Sequence, residues 1–267
     1  MIGIAIYLRK LKTVVVLCCI VAFHGYTVLV AYLPINDSIQ RTDDTVALRV
    51  MNINLLYSNE DYQSQMRKIL ENEPDVIAFQ EYSSSWHEKL KIALSHNYPH
   101  SRSVPISSPF GIALYSKYPI VSGGPVQFAP GMTYAIDAVL NVDDHPVRVL
   151  AVHPPPPIST STFDSRNATL NWIAEESRAE NGALVVAGDL NSSQWTTPFI
   201  RMEKNGKLRH AGRGFGLQPT WPSSLFILLV PIDHILVNNK IAVNAIRTGK
   251  PAGSDHHSIT ADLTVFR

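Results

Sequence analysis

A chain of 267 residues, 45% of them hydrophobic, can bury one sizeable core and shows no sign of a second domain. Its formal net charge of +1 excludes the broad basic field of a non-specific nucleic-acid binder, although a local basic patch is compatible with that total. The two cysteines, Cys18 and Cys19, are adjacent in an N-terminal apolar stretch, which excludes a disulfide or thiolate metal site from the folded domain.

Arg9, Lys10 and Lys12 close residues 1–12, and the 21 residues 13–33 carry no charge if His24 is neutral. About 20 residues cross a bilayer core as a helix. Asp37, Asp43 and Asp44 follow. Basic residues before the span and acids after it predict a cytoplasmic segment 1–12, a transmembrane signal anchor 13–33, and a domain in the periplasm or outside the cell. The rival is a cleaved signal peptide with 14–23 as its apolar core. Ala31 has Leu29 two positions before it, and Leu17 precedes Cys18, so neither an ordinary nor a lipoprotein cleavage site is well formed. An uncleaved anchor is therefore expected. Residues 34–45 are polar and read as a linker, which leaves 46–267 as the domain.

Apolar stretches of strand length then alternate with helical patterns. Residues 46–53 predict a strand. Residues 60–72 predict a helix, with Asn59 as N-cap and Tyr62, Met66, Ile69 and Leu70 on one face. Pro74 ends it, and 76–79 reads as a buried strand. Trp86, Leu90, Ala93 and Leu94 repeat the helical spacing. Further strands are predicted at 112–115, 147–152, 184–187, 235–237 and 259–265, and a helix at 161–180 with Leu170, Ile173 and Ala174 on its apolar face. This irregular, strand-rich order fits two sheets with helices outside better than a regular βαβ repeat.

The chemistry-bearing residues fall at or just beyond strand ends. Asn52 closes the first strand, Glu81 follows 76–79, His153 follows 147–152 and precedes four prolines, and Asp189 and Asn191 follow 184–187. Asp233 opens another strand, and Asp255 and His256 come just before the last. Loops at the ends of rigid strands can bring such residues into one cleft. Each piece alone has a plain reading: a turn for Gly188-Asp189-Leu190-Asn191, a helix-start acid for Glu81, a strand-end cap for Asp233, loop residues for His153 and for 254–257. Together they read as a metal-dependent phosphoester-cleaving site. A hard cation such as Mg²⁺, with Mn²⁺ as substitute, takes oxygen ligands, for which Glu81, Asp255 and the Asn52 amide are the candidates. His256, Asp233, Asp189, Asn191 and His153 remain for proton transfer and for orienting a water.

The ordered motifs resemble the endonuclease/exonuclease/phosphatase superfamily, the deoxyribonuclease I-like fold, across residues 49–266. They are Pro-Asp-Val-Ile-Ala-Phe-Gln-Glu at 74–81, Gly-Ile-Ala-Leu-Tyr-Ser-Lys-Tyr-Pro-Ile at 111–120, Val-Val-Ala-Gly-Asp-Leu-Asn-Ser-Ser-Gln-Trp at 185–195, Gln-Pro-Thr-Trp-Pro at 218–222, Pro-Ile-Asp-His-Ile-Leu-Val at 231–237 and Gly-Ser-Asp-His-His at 253–257. The resemblance implies a four-layered α/β sandwich, two packed mixed sheets flanked by helices. It implies Asn52, Glu81 and Asp255 at the metal, with Asn54 as a weaker alternative to Asn52. It places Asp189 and Asn191 at the attacking water and the phosphate, and His256, oriented by Asp233, at the scissile phosphate or in proton transfer. His153 matches a second catalytic histidine whose acidic partner comes from an earlier segment; no Asp or Glu occurs between Glu88 and Asp137, so a phosphate-ligand role is the alternative.

Two features bear on substrate. The run 223–230 is unusually apolar and reads as a buried strand or, alternatively, as a lipid-facing patch beside the site. Asn191 lies in an Asn-Ser-Ser glycosylation pattern whose use would obstruct the site, which favours a bacterial source. The expectation is a membrane-anchored, Mg²⁺-dependent phosphodiesterase acting on a nucleic acid, a phospholipid or a small phosphoester, with no obligatory protein partner. A calcineurin-type phosphoesterase is disfavoured, since its Gly-Asn-His and late Gly-His-x-His strings are missing. The non-enzymatic rival is an anchored interaction domain with a silent site.

Overall fold

The computed structural model describes residues 2–30, 33, 39, 42–127, 133–224 and 229–267. In chain order the elements are α1 (Ile2–Val30), β1 (Thr45–Asn54), α2 (Tyr62–Asn72), β2 (Val76–Gln80), α3 (Ser84–Leu94), β3 (His100–Val104), β4 (Ile112–Ser116), β5 (Ile120–Val126), β6 (Ala135–Val142), β7 (His145–Val152), α4 (Thr160–Ala179), β8 (Ala183–Asp189), α5 (Thr197–Gly206), β9 (Arg209–His210), β10 (Asp233–Val237), β11 (Ile241–Thr248) and β12 (Ile259–Phe266). They form two six-stranded sheets, β11-β12-β1-β2-β4-β3 and β5-β6-β7-β8-β10-β9. Both are mixed: β1 runs parallel to β2 across α2, and β7 parallel to β8 across α4, while the other pairs are antiparallel. This is the predicted four-layered sandwich.

Side-chain alternation along the strands decides what each layer buries. On β1, Leu48 and Val50 point between the sheets, while Met51 and Ile53 point outward against Ile69 of α2 and Trp86 and Leu90 of α3. On β8, Val185 and Ala187 point inward, while Leu184 and Val186 pack under Leu170 and Ile173 of α4 and Phe199 of α5. The inner faces change character toward one end of the sandwich. Further steps of two carry β1 from Val50 to Asn52 and then Asn54, β7 from Ala151 to His153, and β8 from Ala187 to Asp189. On antiparallel β10 the same step runs backwards from Ile235 to Asp233, which pairs directly with Asp189. At the opposite end, Asp44 leads into β1 and its carbonyl accepts the Arg267 amide at 3.3 Å.

Several boundaries differ from expectation. The N-terminal helix starts at Ile2, well before residue 13, and ends at Val30; Leu33 lies beyond it and 31–32 are outside the described residues. Its stretch Lys10–Val30 is long and apolar enough to cross a membrane. Asp61, not Asn59, caps α2, accepting from the Ser64 amide, because Asn59 is drawn into bonds with the Leu55 and Ala252 carbonyls. Leu70 is exposed and Gln65 takes its place on the buried face of α2. Of the apolar run 223–230, residues 225–228 lie outside the described residues, and Trp221 and Val230 on either side of it form an isolated antiparallel bridge.

Candidate active site

The polar ends of the inner faces meet in a cleft of about 500 Å³ that contains Glu81, His153, Asp189, Asn191, Asp255 and His256. Asp233 is buried at its floor, where Oδ2 lies 2.8 Å from His256 Nδ1. Asp233 is itself fixed by its own amide, which donates to Thr220 Oγ1. His256 Nε2 points away from Asp233, at 3.8 Å from Asp189 and 3.9 Å from Asp255. An imidazole tied at one nitrogen and free to act at the other is the arrangement of a general acid or base.

Burial pushes the His256 pKa down, but the charge and hydrogen bond of Asp233, with Asp189 and Asp255 behind them, outweigh it and hold the ring up at about 10. Burial and the nearby Asp189 charge push Asp233 upward, against the pull of His256. The two tendencies conflict. The 2.8 Å contact decides for an ionised Asp233 facing a protonated Nδ1, since a neutral acid would leave a buried imidazolium without its counter-charge. Asp189 is raised by burial but lowered more by His153, His256 and the Asn191 amide, so it is held ionised well below the ordinary carboxylate range.

Asp189 is the hub of the site. Its Oδ1 accepts the Asn191 amide at 2.9 Å, and its Oδ2 accepts Asn54 Nδ2 at 3.1 Å and lies 3.6 Å from His153 Nε2. Gly188 makes this crossing possible: a Cβ there would come within 2.0 Å of the Val152 carbonyl on β7. The Asn191 side chain donates to the Pro154 carbonyl, and its own carbonyl accepts Arg166 from α4. Glu81 and Asn191 both adopt left-handed backbone, with φ of 54° and 47°. Non-glycine residues in that region cost about 1 kcal/mol or more and tend to cluster where function requires an aimed side chain.

Every sequence-predicted site residue lies in or beside this cleft, but the two asparagines divide differently from expectation. The amide that meets Glu81 is Asn54, at 3.2 Å, and it bridges Glu81 to Asp189. Asn52 instead donates to Asp233 at 3.3 Å, leaving its buried Oδ1 without a partner. Glu81 also accepts the Tyr57 amide at 2.9 Å. Asp255 accepts Trp221 Nε1 through one oxygen, while its other is buried with no hydrogen bond, 3.9 Å from His256 Nε2. His153 Nδ1 is likewise buried without a partner, consistent with the missing acid before β6. Sequence reasoning assigned no role to Arg166, Tyr57 or Thr220. Thr220 and Trp221 lie in the Gln-Pro-Thr-Trp-Pro motif at 218–222, whereas nothing local marks Arg166.

A family model for the Endonuclease/Exonuclease/phosphatase family matches residues 51–256. The chain belongs to that family. Solved members and relatives share its architecture at low identity. An endonuclease/exonuclease/phosphatase from Bacteroides vulgatus superposes with a TM-score of 0.70 at 17% identity, covering 82% of this chain and 99% of that one. A humanized D. rerio TDP2 gives 0.68 at 12% identity, covering 81% and 98%. Sphingomyelinase C from Streptomyces griseocarneus gives 0.61 at 19% identity, covering 81% and 99%. At these identities the likeness is one of fold. Among curated protein sequences none matches the chain.

Two sets of side chains within this family's site compete for a divalent cation. Asp189, Asp233 and His256 bring ligand atoms within 4.8 Å of one another. That closeness is already accounted for by the hydrogen bond between His256 and Asp233, which a cation would have to break. The other set is oxygen-only: Glu81, the unpartnered oxygen of Asp255 and the asparagine amides of β1. An orphaned buried carboxylate oxygen is what a ligand leaves behind, and all-oxygen donors suit a hard cation. The second set fits better.

Proposed function

We propose that the chain is a metal-dependent phosphodiesterase, and the observation that carries this is the convergence of Glu81, Asp189, His256 and the Asp233 behind it on one cleft. Glu81 and Asp255, with an amide oxygen from Asn54 or Asn52, would hold Mg²⁺, or Mn²⁺ in its place. The cation, when bound, would polarise the phosphoryl oxygen and stabilise the departing one. Asp189, kept ionised, accepts a hydrogen bond from the attacking water and, with Asn191, aims it at phosphorus. Water oxygen forms the new P–O bond and passes its proton to Asp189, the bond to the leaving alcohol breaks, and the departing oxygen gains a proton; exchange with solvent then restores Asp189 and the donor. His256, protonated and steadied by Asp233, neutralises the crowded phosphate and supplies that proton. His153 contacts a phosphoryl oxygen.

The walls of the cleft favour an amphiphilic phosphoester over a polynucleotide. No Lys or Arg lines it among the described residues, and Leu56, Tyr57, Ile158, Trp221, Val230 and Ile232 do. Ile158 is 86% exposed on its rim. Phosphate tracks for nucleic acids are built from cations. One fold relative is a sphingomyelinase, and α1 is apolar enough to hold this chain at a bilayer, so a membrane phospholipid fits both. On this reading α1 is an uncleaved anchor, residues 34–45 the linker and 46–267 the catalytic domain outside the cytoplasm.

The test is a Mg²⁺ titration of the full-length protein in detergent with bis(p-nitrophenyl) phosphate. His256→Ala is expected to lower kcat by about 10²–10⁴-fold. Glu81→Gln is expected to raise the Mg²⁺ concentration for half-activity by roughly ten-fold or more, as loss of one charged ligand contact would. Turnover that persists in chelator, or equal rates in parent and His256→Ala, would overturn the reading.

A further inference from the structure

Beside the catalytic cleft lies a second chamber of about 380 Å³. The two meet along the proline run: Pro156 and Pro157 line the cleft, and Pro155 lines the chamber. The loop before β4 does the same, with Pro109 on the cleft and Phe110 on the chamber. This run is tied to the loop after β8, because the Asn191 side chain donates to the Pro154 carbonyl.

The chemistry of the chamber differs from that of the cleft. The hydroxyl-bearing residues Thr162, Ser165 and Thr169, spaced to share one face of α4, line it, as does Ser108 from the loop before β4. No charged side chain lines it among the described residues. Thr162 is occupied in the capping box with Ser159, whereas Thr169 donates to the Ser165 carbonyl of its own helix at 3.0 Å, which leaves its oxygen lone pairs as acceptors. Phe110 and Tyr134 add flat apolar surface.

A phosphate or carboxylate entering here would lose water without meeting a cation. A quaternary ammonium would look for an acid or a cage of several ring faces, and among the described residues only Phe110 and Tyr134 offer rings here. An uncharged polyol meets neither difficulty, since each of its hydroxyls both donates and accepts, and a ring carbon face can lie on an aromatic side chain. The geometry points to a subsite for a polyol group, such as glycerol, inositol or a sugar ring, carried on the phosphate held in the adjoining cleft. This rests on the phosphodiesterase reading above.

The experiment compares kcat/KM of the full-length protein on three substrates: phosphatidylglycerol vesicles, phosphatidylcholine vesicles, and the deacylated glycerophosphoglycerol. Bis(p-nitrophenyl) phosphate serves as the ester that reaches no chamber. Polyol esters are expected to be preferred over choline by about ten-fold. Ser165→Leu and Ser108→Leu, which fill the chamber from opposite walls, are expected to erase that preference and leave the generic ester within about two-fold of the parent. A preference confined to glycerophosphoglycerol supports the subsite and makes its occupant a soluble ester; one shown on vesicles makes it a lipid headgroup. Equal rates on polyol and choline esters, or a preference surviving both substitutions, overturn the subsite. Absence of turnover on the generic ester overturns the cleft reading, and the subsite with it.

Discussion

Asp233 shows how much of this site depends on a residue the substrate would not touch. It sits under His256 with one oxygen on Nδ1 and the other on the Asn52 amide, and is closed off from water by Thr220 and β8. Asp233→Asn would remove the charge that keeps the ring protonated while leaving its shape. Steady-state kinetics should show kcat falling by on the order of 10²-fold with KM changed far less, because the lost interaction matters most as charge develops. An equal fall in His256→Ala and the double variant would place both residues in one unit. Which asparagine meets Glu81 was not legible from the sequence: Asn52 and Asn54 share a face of β1, and alternation alone cannot say which is level with β2's last residue. The register does, pairing Asn54 with Gln80 and so placing it next to Glu81.

The elements that were legible are those buried on both faces. β1, β2, β4, β7, β8, β10 and β12 spell near-continuous apolar runs, as central strands must. β3 and β5 were missed because they are sheet edges: His100–Val104 is mostly polar, and Ile120–Val126 holds two glycines and Pro125. β6 was missed for another reason. Asp137 interrupts its apolar pattern in order to meet Arg148, which also pairs with Glu176 on α4. α5, a ten-residue helix of mixed polarity starting at Thr197-Pro198, gave too short a period to read. The strand end at Gly188 is the tightest joint between element and site. Gly188→Ala would drive a methyl into the Val152 carbonyl and push β7 from β8, separating His153 from Asp189. Denaturant unfolding should register a loss of about 1–3 kcal/mol, the usual cost of overpacking, together with reduced turnover.

At the scale of the whole molecule, acid is the expected weakness. His234 and His210 are fully buried against each other, with His234 bonded to the Ser192 carbonyl behind the catalytic loop. Burial lowers both, His234 to about 4 and His210 well below its ordinary value. A depressed folded pKa means that the unfolded chain binds protons first, so stability is complete above about pH 6.5 and declines as pH falls toward 4. For His234 alone the loss is on the order of 3 kcal/mol. Melting temperature followed from pH 7 to pH 4 should fall steeply, and more gently in His234→Asn; identical slopes would assign the acid sensitivity elsewhere. The whole fold also fixes a distance. β1 begins at the pole where Asp44 meets Arg267 and ends at the catalytic pole, so the leash and the mouth of the cleft stand about 30 Å apart, ten residues at about 3.3 Å each. Residues 31–43 can stretch to about 44 Å at most, at about 3.4 Å per residue. On the proposed reading of α1 as an anchor, that length is just enough for the domain to turn over and bring its mouth down to the plane in which α1 ends. Cutting six residues from that leash reduces its reach to about 24 Å and strands the mouth above the bilayer. On that same reading such a protein should keep hydrolysing soluble esters while losing those embedded in the bilayer, so that the length between α1 and β1 would act as a ruler for its reach.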